Sequence, residues 1–266
     1  MCSKSDDLLS ISSAEGAIRV GHLRVNIKTS DQLIETLMRV AFEAKETHLV
    51  VTANAQFYVL GYQNLAFRQV LETAEFVCAD GVSIVLATRL LARRSVKRVA
   101  GVDLILQLCS AGAERGVRVF LLGGQPRAAD QTAQLLKKNS PTLTVVGTAC
   151  PPLGFENDHT VLSDLLKAIS EAKPHIIFVA LGAPKQEFFI HGHLRALRIP
   201  VAIGVGGSFD ILSGCIPRAP IWIQDCGLEW AFRLCREPRR LWRRYLIGNA
   251  LFIFYMLRAL IRKNRR

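Results

Sequence analysis

Residues 175–210 read HIIFVALGAPKQEFFIHGHLRALRIPVAIGVGGSFD. The run His175–Leu181 is apolar and rich in β-branched residues, with little polar alternation, as expected of a parallel strand buried on both faces. Gly182 to Glu187 then turns the chain, with Pro184 near a helix start and a cation, an amide and an acid behind it. A helix is expected over Lys185–Arg198, and a second buried strand over Val201–Val205. The glycine turn after that strand, Gly206-Gly207, opens toward another helix. Strand, turn, helix, strand is the unit of a parallel sheet.

The same alternation runs outward from this unit. Short apolar runs at His48–Thr52, Glu75–Ala79, Val117–Leu122 and Leu143–Thr148 complete a set of six strands. Helical segments are expected at Asp31–Lys45, Phe57–Thr73, Val82–Arg93, Val102–Arg115, Arg127–Lys138 and Asp158–Ala172. The pattern predicts an α/β fold, a doubly wound and mainly parallel sheet. Ligands of such sheets sit at the carboxyl ends of the strands. The post-strand peptides are Thr52-Ala53-Asn54-Ala55-Gln56, Ala79-Asp80-Gly81, Gly123-Gly124-Gln125-Pro126, Gly182 to Glu187, and Gly204 to Asp210. Polar groups and glycines gather at that one end.

Charge separates the last part of the chain from the rest. The 266 residues carry a net charge of +12. Positions 231–266 hold 11 basic side chains and one acid, Glu237, whereas positions 1–230 hold 23 basic and 21 acidic residues. The basic residues flank Leu246–Leu257, LIGNALFIFYML, a run too apolar for a solvated nucleic-acid arm and suited to an anionic lipid surface. At 12 residues, about 18 Å as a helix, it falls short of the ~30 Å hydrocarbon layer, so the tail is expected to lie on or dip into one leaflet. The domain reading is a disordered segment over 1–17, a core over 18–226 and a basic, apolar membrane-targeting appendage over 227–266. Seven scattered cysteines with no CxxC and no Cys/His spacing exclude a zinc site and fit a reducing compartment.

At the strand ends, Asp80 can project a carboxylate into the crevice beside Gly81, or cap the next helix. Thr52 and Asn54 offer donors and acceptors to a sugar, or bond their own loops. Gly123, Gly124, Gly206 and Gly207 could hold a phosphate on backbone N–H groups, although neither pair completes a GxGxxG or Walker pattern. On a helical wheel Arg233, Arg236, Arg240, Arg243 and Arg244 share about one third of the circumference, provided that Pro238 does not break the helix.

Taken in order, TANAQ, ADGVSIVLATRLL, RVAGVDL, LLGGQP, LGAPKQE, GVGGSFDILSG, PRAP and GLEW followed by RL, EPRRLWRRY resemble the WecG/TagA/CpsF glycosyltransferases (glycosyltransferase family 26) over roughly Ile18 to Tyr245. The resemblance implies a Rossmann-like core with a C-terminal membrane-targeting appendage. It implies transfer of a hexose-type sugar (N-acetylmannosamine, its uronic acid, or glucose) from a UDP donor to a polyprenyl-diphosphate-linked saccharide, for cell-surface or exopolysaccharide synthesis. By the same resemblance Asp80 is the general base, Thr52, Asn54 and Gln186 line the sugar pocket, and Arg233, Arg240 and Arg243 meet the substrate diphosphate. RVAGVDL departs from the family, which more often has threonine or serine beside the glycine, and leaves Asp103 a helix-cap candidate.

The chemistry fits these residue types. An acceptor hydroxyl attacking an anomeric carbon needs a base, and a carboxylate lifted toward neutrality serves. The departing UDP needs its charge stabilised, and arginines and helix N-termini supply that without the metal of a DxD motif, which the chain lacks. The expectation is therefore an inverting, metal-independent enzyme without cofactor, peripheral on the cytoplasmic face of a bacterial inner membrane. No nucleic-acid partner is expected, and a homo-oligomer stays open. The alternatives are a nucleotide-dependent oxidoreductase or methyltransferase, lacking the glycine fingerprint and its acid, and a non-catalytic peripheral membrane nucleotide-binding scaffold.

Overall fold

A computed structural model describes residues 16–264. Of the segment expected to be disordered, residues 1–15 lie outside the described residues, while Ala17 already opens the first strand. The described residues open with a hairpin, β1 (Ala17–Val20) and β2 (Leu23–Asn26). Then follow α1 (Ser30–Glu43), β3 (His48–Ala53), α2 (Ala55–Gln63), α3 (Leu65–Glu72), β4 (Phe76–Ala79), α4 (Val82–Ala92) and α5 (Gly101–Ala113). The middle of the chain comprises β5 (Arg118–Gly123), α6 (Ala128–Asn139), β6 (Thr144–Ala149), α7 (His159–Ala172), β7 (Ile176–Ala180), α8 (Lys185–Phe189), β8 (Val201–Gly204) and α9 (Ser208–Leu212). The last elements are α10 (Ile221–Asp225), α11 (Glu229–Arg236), α12 (Pro238–Trp242) and α13 (Gly248–Asn264).

The six expected strands form one sheet, β4-β3-β8-β7-β5-β6, with every pairing parallel. Alternate side chains of each strand feed two separate cores. Leu49, Val51, Val77, Ile177 and Val179 pack with α2, α3, α4 and α7 on one face. Val50, Val119, Leu121, Phe178 and Ile203 pack with α1, α5, α6 and α9 on the other. Helices on both faces are why the strands read as unbroken apolar runs, and β7 is buried at all five positions. This is the doubly wound α/β architecture, consistent with a Rossmann-like fold.

Three local expectations change. The helix expected over Phe57–Thr73 is two helices, because Asn64 leaves the helical region (φ −128°, ψ 107°) and its side chain accepts from the Phe67 N–H to cap α3. Lys185–Arg198 stays helical but is irregular, with a wide turn over Ile190–Leu194 and a tight one over Arg195–Leu197. The hairpin β1–β2 had no forecast. It turns at Gly21, whose φ of +60° suits glycine, and Asn26 Oδ1 accepts from Val77 N–H at 2.6 Å, covering the edge of β4.

The tail also differs from expectation. Glu237 leaves the helical region (φ −127°, ψ 54°) and Pro238 opens α12, so the arginine stripe is split between two helices. From Pro238 to Ile261 the chain is one 24-residue helix, and it contains an 18-residue stretch long and apolar enough to cross a membrane by length and composition, although the uninterrupted apolar run is shorter. Part of it docks on the core: Phe252 meets Tyr58 edge-on, Tyr255 stacks on Tyr62 at 4.5 Å, and Met256 is buried. Cys78 and Cys109 are buried free thiols, pushed up to about 12 by desolvation.

Candidate active site

A cleft of about 490 Å³ opens over the carboxyl ends of β3, β4, β7 and β8, and residues of α11 and α13 form its outer wall. Asp80, directly after β4, is fixed from behind: its N–H and that of Gly81 both donate to the Ala53 carbonyl. It does not cap α4, whose cap residue is Gly81 with no side-chain bond, so the carboxylate is free to face the cleft. Desolvation, then the nearby Glu229 carboxylate, push Asp80 up to about 6, against the opposing pull of Arg98, the Gly101 N–H and Arg233.

Thr52 and Asn54 line the same cleft, and both also hold the fold. Thr52 Oγ1 donates to the Gly204 carbonyl at 2.7 Å, and Asn54 Oδ1 accepts from Gln56 N–H at 3.0 Å as the cap of α2. The Asn54 amide NH₂ remains for a ligand. Gln186 is almost fully buried. Its Oε1 accepts from the N–H groups of Gly182 (3.2 Å) and Gly206 (3.0 Å), so one amide ties together the loops after β7 and β8. Its Nε2 donates to Glu187 Oε1 at 2.6 Å. Gly204 has to be glycine for this packing: a Cβ there would lie 2.5 Å from Gln186 Nε2 and 2.7 Å from Glu187 Oε1. Of its neighbours in the same peptide, Lys185 points away to Glu156 at 2.8 Å.

The two glycine pairs separate. Gly206 and Gly207 line the cleft, whereas Gly123 and Gly124 do not. The Gly124 N–H donates to the Ala180 carbonyl and the Gln125 N–H to Asp210 Oδ1, so that turn is bonded into the fold. The arginines separate as well. Arg233 lies in the cleft, with its guanidinium near the backbone of Gly207 and its Nε buried without a partner. Arg240 pairs with Glu237 at 2.8 Å and is half exposed, and Arg243 lies over the Trp242 ring; neither lines the cleft. Arg244 does, with its guanidinium pKa lowered chiefly by burial.

Several cleft residues were not singled out from sequence. Arg98 and Glu229, 131 positions apart, form a half-buried ion pair at 3.2 Å that joins the core to the tail beside Asp80. Trp230 and Tyr245, 5.9 Å apart, pack α11 against the following helix. Their signal was present, since Arg98 lies in RVAGVDL and Glu229-Trp230 in GLEW, but pairing across that separation is set by the fold. Asp103 is no cap: α5 is capped by Ala100, and Asp103 pairs with Arg218 at 2.7 Å, anchoring the PRAP segment.

A cleft at the strand ends of a doubly wound sheet, with one carboxylate raised to about 6 among arginines, suits transfer of a group to a hydroxyl, the chemistry of a glycosyltransferase. Residues 18–266 match the model of the glycosyl transferase WecG/TagA/CpsF family, and the chain belongs to that family. It is a glycosyltransferase. Among similar proteins is the N-acetylglucosaminyldiphosphoundecaprenol N-acetyl-β-D-mannosaminyltransferase of Bacillus spizizenii (strain W23), 35% identical over 197 residues, 74% of either chain. The protein of the same name from Bacillus subtilis (strain 168) is 32% identical over 213 residues, 80% of either chain.

Proposed function

We propose that this enzyme transfers an N-acetylmannosamine-type hexose from a UDP donor to a saccharide on a polyprenyl diphosphate, with inversion, at the cytoplasmic face of a bacterial inner membrane. The observation that carries the reading is Asp80, raised to about 6 in a cleft that also holds Arg98, Arg233 and Arg244. The names of the two Bacillus relatives support the donor sugar and the lipid-linked acceptor. In the step proposed, the acceptor oxygen bonds to the anomeric carbon as its proton passes to the Asp80 carboxylate. The bond from that carbon to the UDP oxygen breaks, and UDP departs as an anion. Arg233 and Arg244 stabilise the growing diphosphate charge, which makes a bound metal unnecessary. Asn54 positions a sugar, and Thr52 and Gln186 hold the loops that frame it. The flanking arginines and exposed leucines of the tail bring the cleft to the bilayer holding the acceptor.

The test is transfer to a short-chain polyprenyl-diphosphate glycan from a panel of UDP-sugars, with and without EDTA. Transfer from UDP-N-acetylmannosamine that EDTA leaves unchanged is the expected result. Transfer abolished by EDTA overturns the metal-free mechanism, and UDP binding without transfer from any donor would favour the scaffold. The arginines supply a second check. Arg233→Ala should lower kcat/KM by about 10²–10³-fold, the scale of losing one preorganised charge donor. Arg240→Ala, outside the cleft, should stay within about threefold on a soluble short-chain acceptor. Equal losses in both would mean that the tail rearranges to bring Arg240 to the diphosphate.

A further inference from the structure

The tail is not the sole basic surface. From Val82 to Arg98 the chain reads VSIVLATRLLARRSVKR, with five basic residues and no acid. Its inward side is ordinary core: Ile84, Ala87, Leu91 and Val96 are buried. Its outward side carries Leu86 and Leu90, 48% and 54% exposed, followed by exposed Arg89, Arg93, Arg94 and Lys97. Arg98 turns into the cleft to meet Glu229. Among the described residues, no carboxylate forms an ion pair with Arg89, Arg93, Arg94 or Lys97. A solvated helix face normally intersperses both signs, and here one sign stands alone beside exposed leucines.

This face adjoins the tail. α13 packs against α4, and its own exposed apolar residues include Ile253, Phe254 and Leu257. Leu86 of α4 and Ile253 of α13 both line the cleft. The apolar ridge is thus shared by a core helix and a tail helix at the rim of the active site, with unpaired cations on the core side. Cations beside exposed leucines match an anionic bilayer, where the leucines enter the acyl boundary and the cations meet headgroups. A nucleic-acid backbone would leave the leucines in water.

We propose that the outer face of α4 and of the segment that follows it, through Leu90, Arg89, Arg94 and Lys97, is a second lipid-docking surface that seats the rim of the cleft on an anionic membrane together with α13. The proposal rests on the reading above that the enzyme works at a bilayer. It gives the core its own grip, so that the membrane sets the orientation of the cleft as well as its proximity.

The experiment is vesicle co-sedimentation of the full chain, comparing neutral phosphatidylcholine with mixtures containing phosphatidylglycerol. The variant Arg89→Gln/Arg94→Gln/Lys97→Gln removes three charges from residues outside the cleft. It should partition onto anionic vesicles about 10²-fold more weakly than the parent chain, at about fivefold per basic residue. Its transfer to a soluble short-chain acceptor should be unchanged, which also reports that it folds. Hydrogen exchange of the unaltered chain provides an independent readout: residues 86–97 should exchange more slowly with anionic vesicles than with neutral ones. Equal partition of variant and parent, or no protection of 86–97, overturns the α4 surface and leaves the tail reading intact. Failure of the parent chain to bind anionic vesicles overturns both. A change of oligomeric state in the variant with unchanged vesicle binding assigns the face to a second copy and overturns the proposal.

Discussion

Asp80→Asn is expected to cut turnover by about 10²–10⁴-fold while leaving UDP binding largely intact. The amide keeps the shape of the side chain and the Ala53 anchoring of its backbone, but it cannot take the acceptor proton. The pH dependence gives the same residue a second signature. A base raised to about 6 is protonated below that pH, so kcat/KM should fall about tenfold per unit on the acid side of 6 and level off above it. The acid limb should disappear in the residual activity of Asp80→Asn. Near-normal turnover in the variant would remove Asp80 from the mechanism. An unchanged acid limb would assign that limb to another group.

The second large effect is on stability. Glu187 is fully buried, its Oε2 has no partner, and desolvation raises it to about 7 despite the bond from Gln186. Its folded pKa lies above the ordinary 4.5, so the folded chain binds more protons between 4.5 and 7. Stability should therefore fall as pH rises through that window, with the full penalty present above 7. Glu187→Gln keeps an oxygen to accept from Gln186 and carries no charge. It should stabilise the protein at pH 8 by up to ~3 kcal/mol, several degrees in Tm, and have little effect at pH 4.5. Thermal unfolding at both pH values decides it: an equal shift at both would mean that the ionised form is not the burden. Transfer activity should survive. The Gln186 amide still donates to position 187, so its oxygen still faces the Gly182 and Gly206 N–H groups.

Much of the sheet was legible because burial on both faces forces unbroken β-branched runs, and all six lie within a residue or two of where the sequence put them. Asp80 was legible for a related reason, being the acid next to a glycine at a strand end. The hairpin β1–β2 was not: four-residue strands with two inward positions each give too little periodicity, although Ile18, Val20, Leu23 and Val25 flank Gly21-His22. The glycine pairs 123–124 and 206–207 look alike in sequence. Both turns are bonded into the fold, the first through Asp210 and Ala180 and the second through Gln186, but only the second lies at the cleft, a placement set by residues distant in the chain. The arginine stripe failed as a wheel because Pro238 starts a new helix, which leaves Arg233 and Arg244 in the cleft and directs Arg240 to Glu237. The Arg98–Glu229 pair shows the general limit: local pattern places each residue on its element, and only the assembled fold says which elements meet.

The cleft's outer wall comes from Glu229, Arg233, Arg244 and Phe252, all of which follow the last strand of the sheet. A ribosome making this chain therefore finishes every strand of the sheet before it reaches the residues that complete the cleft. Until then the nascent chain carries Asp80 but neither Arg233 nor Arg244. In the proposed function, the side chains that complete the cleft and those that meet lipid thus belong to one segment made after the sheet.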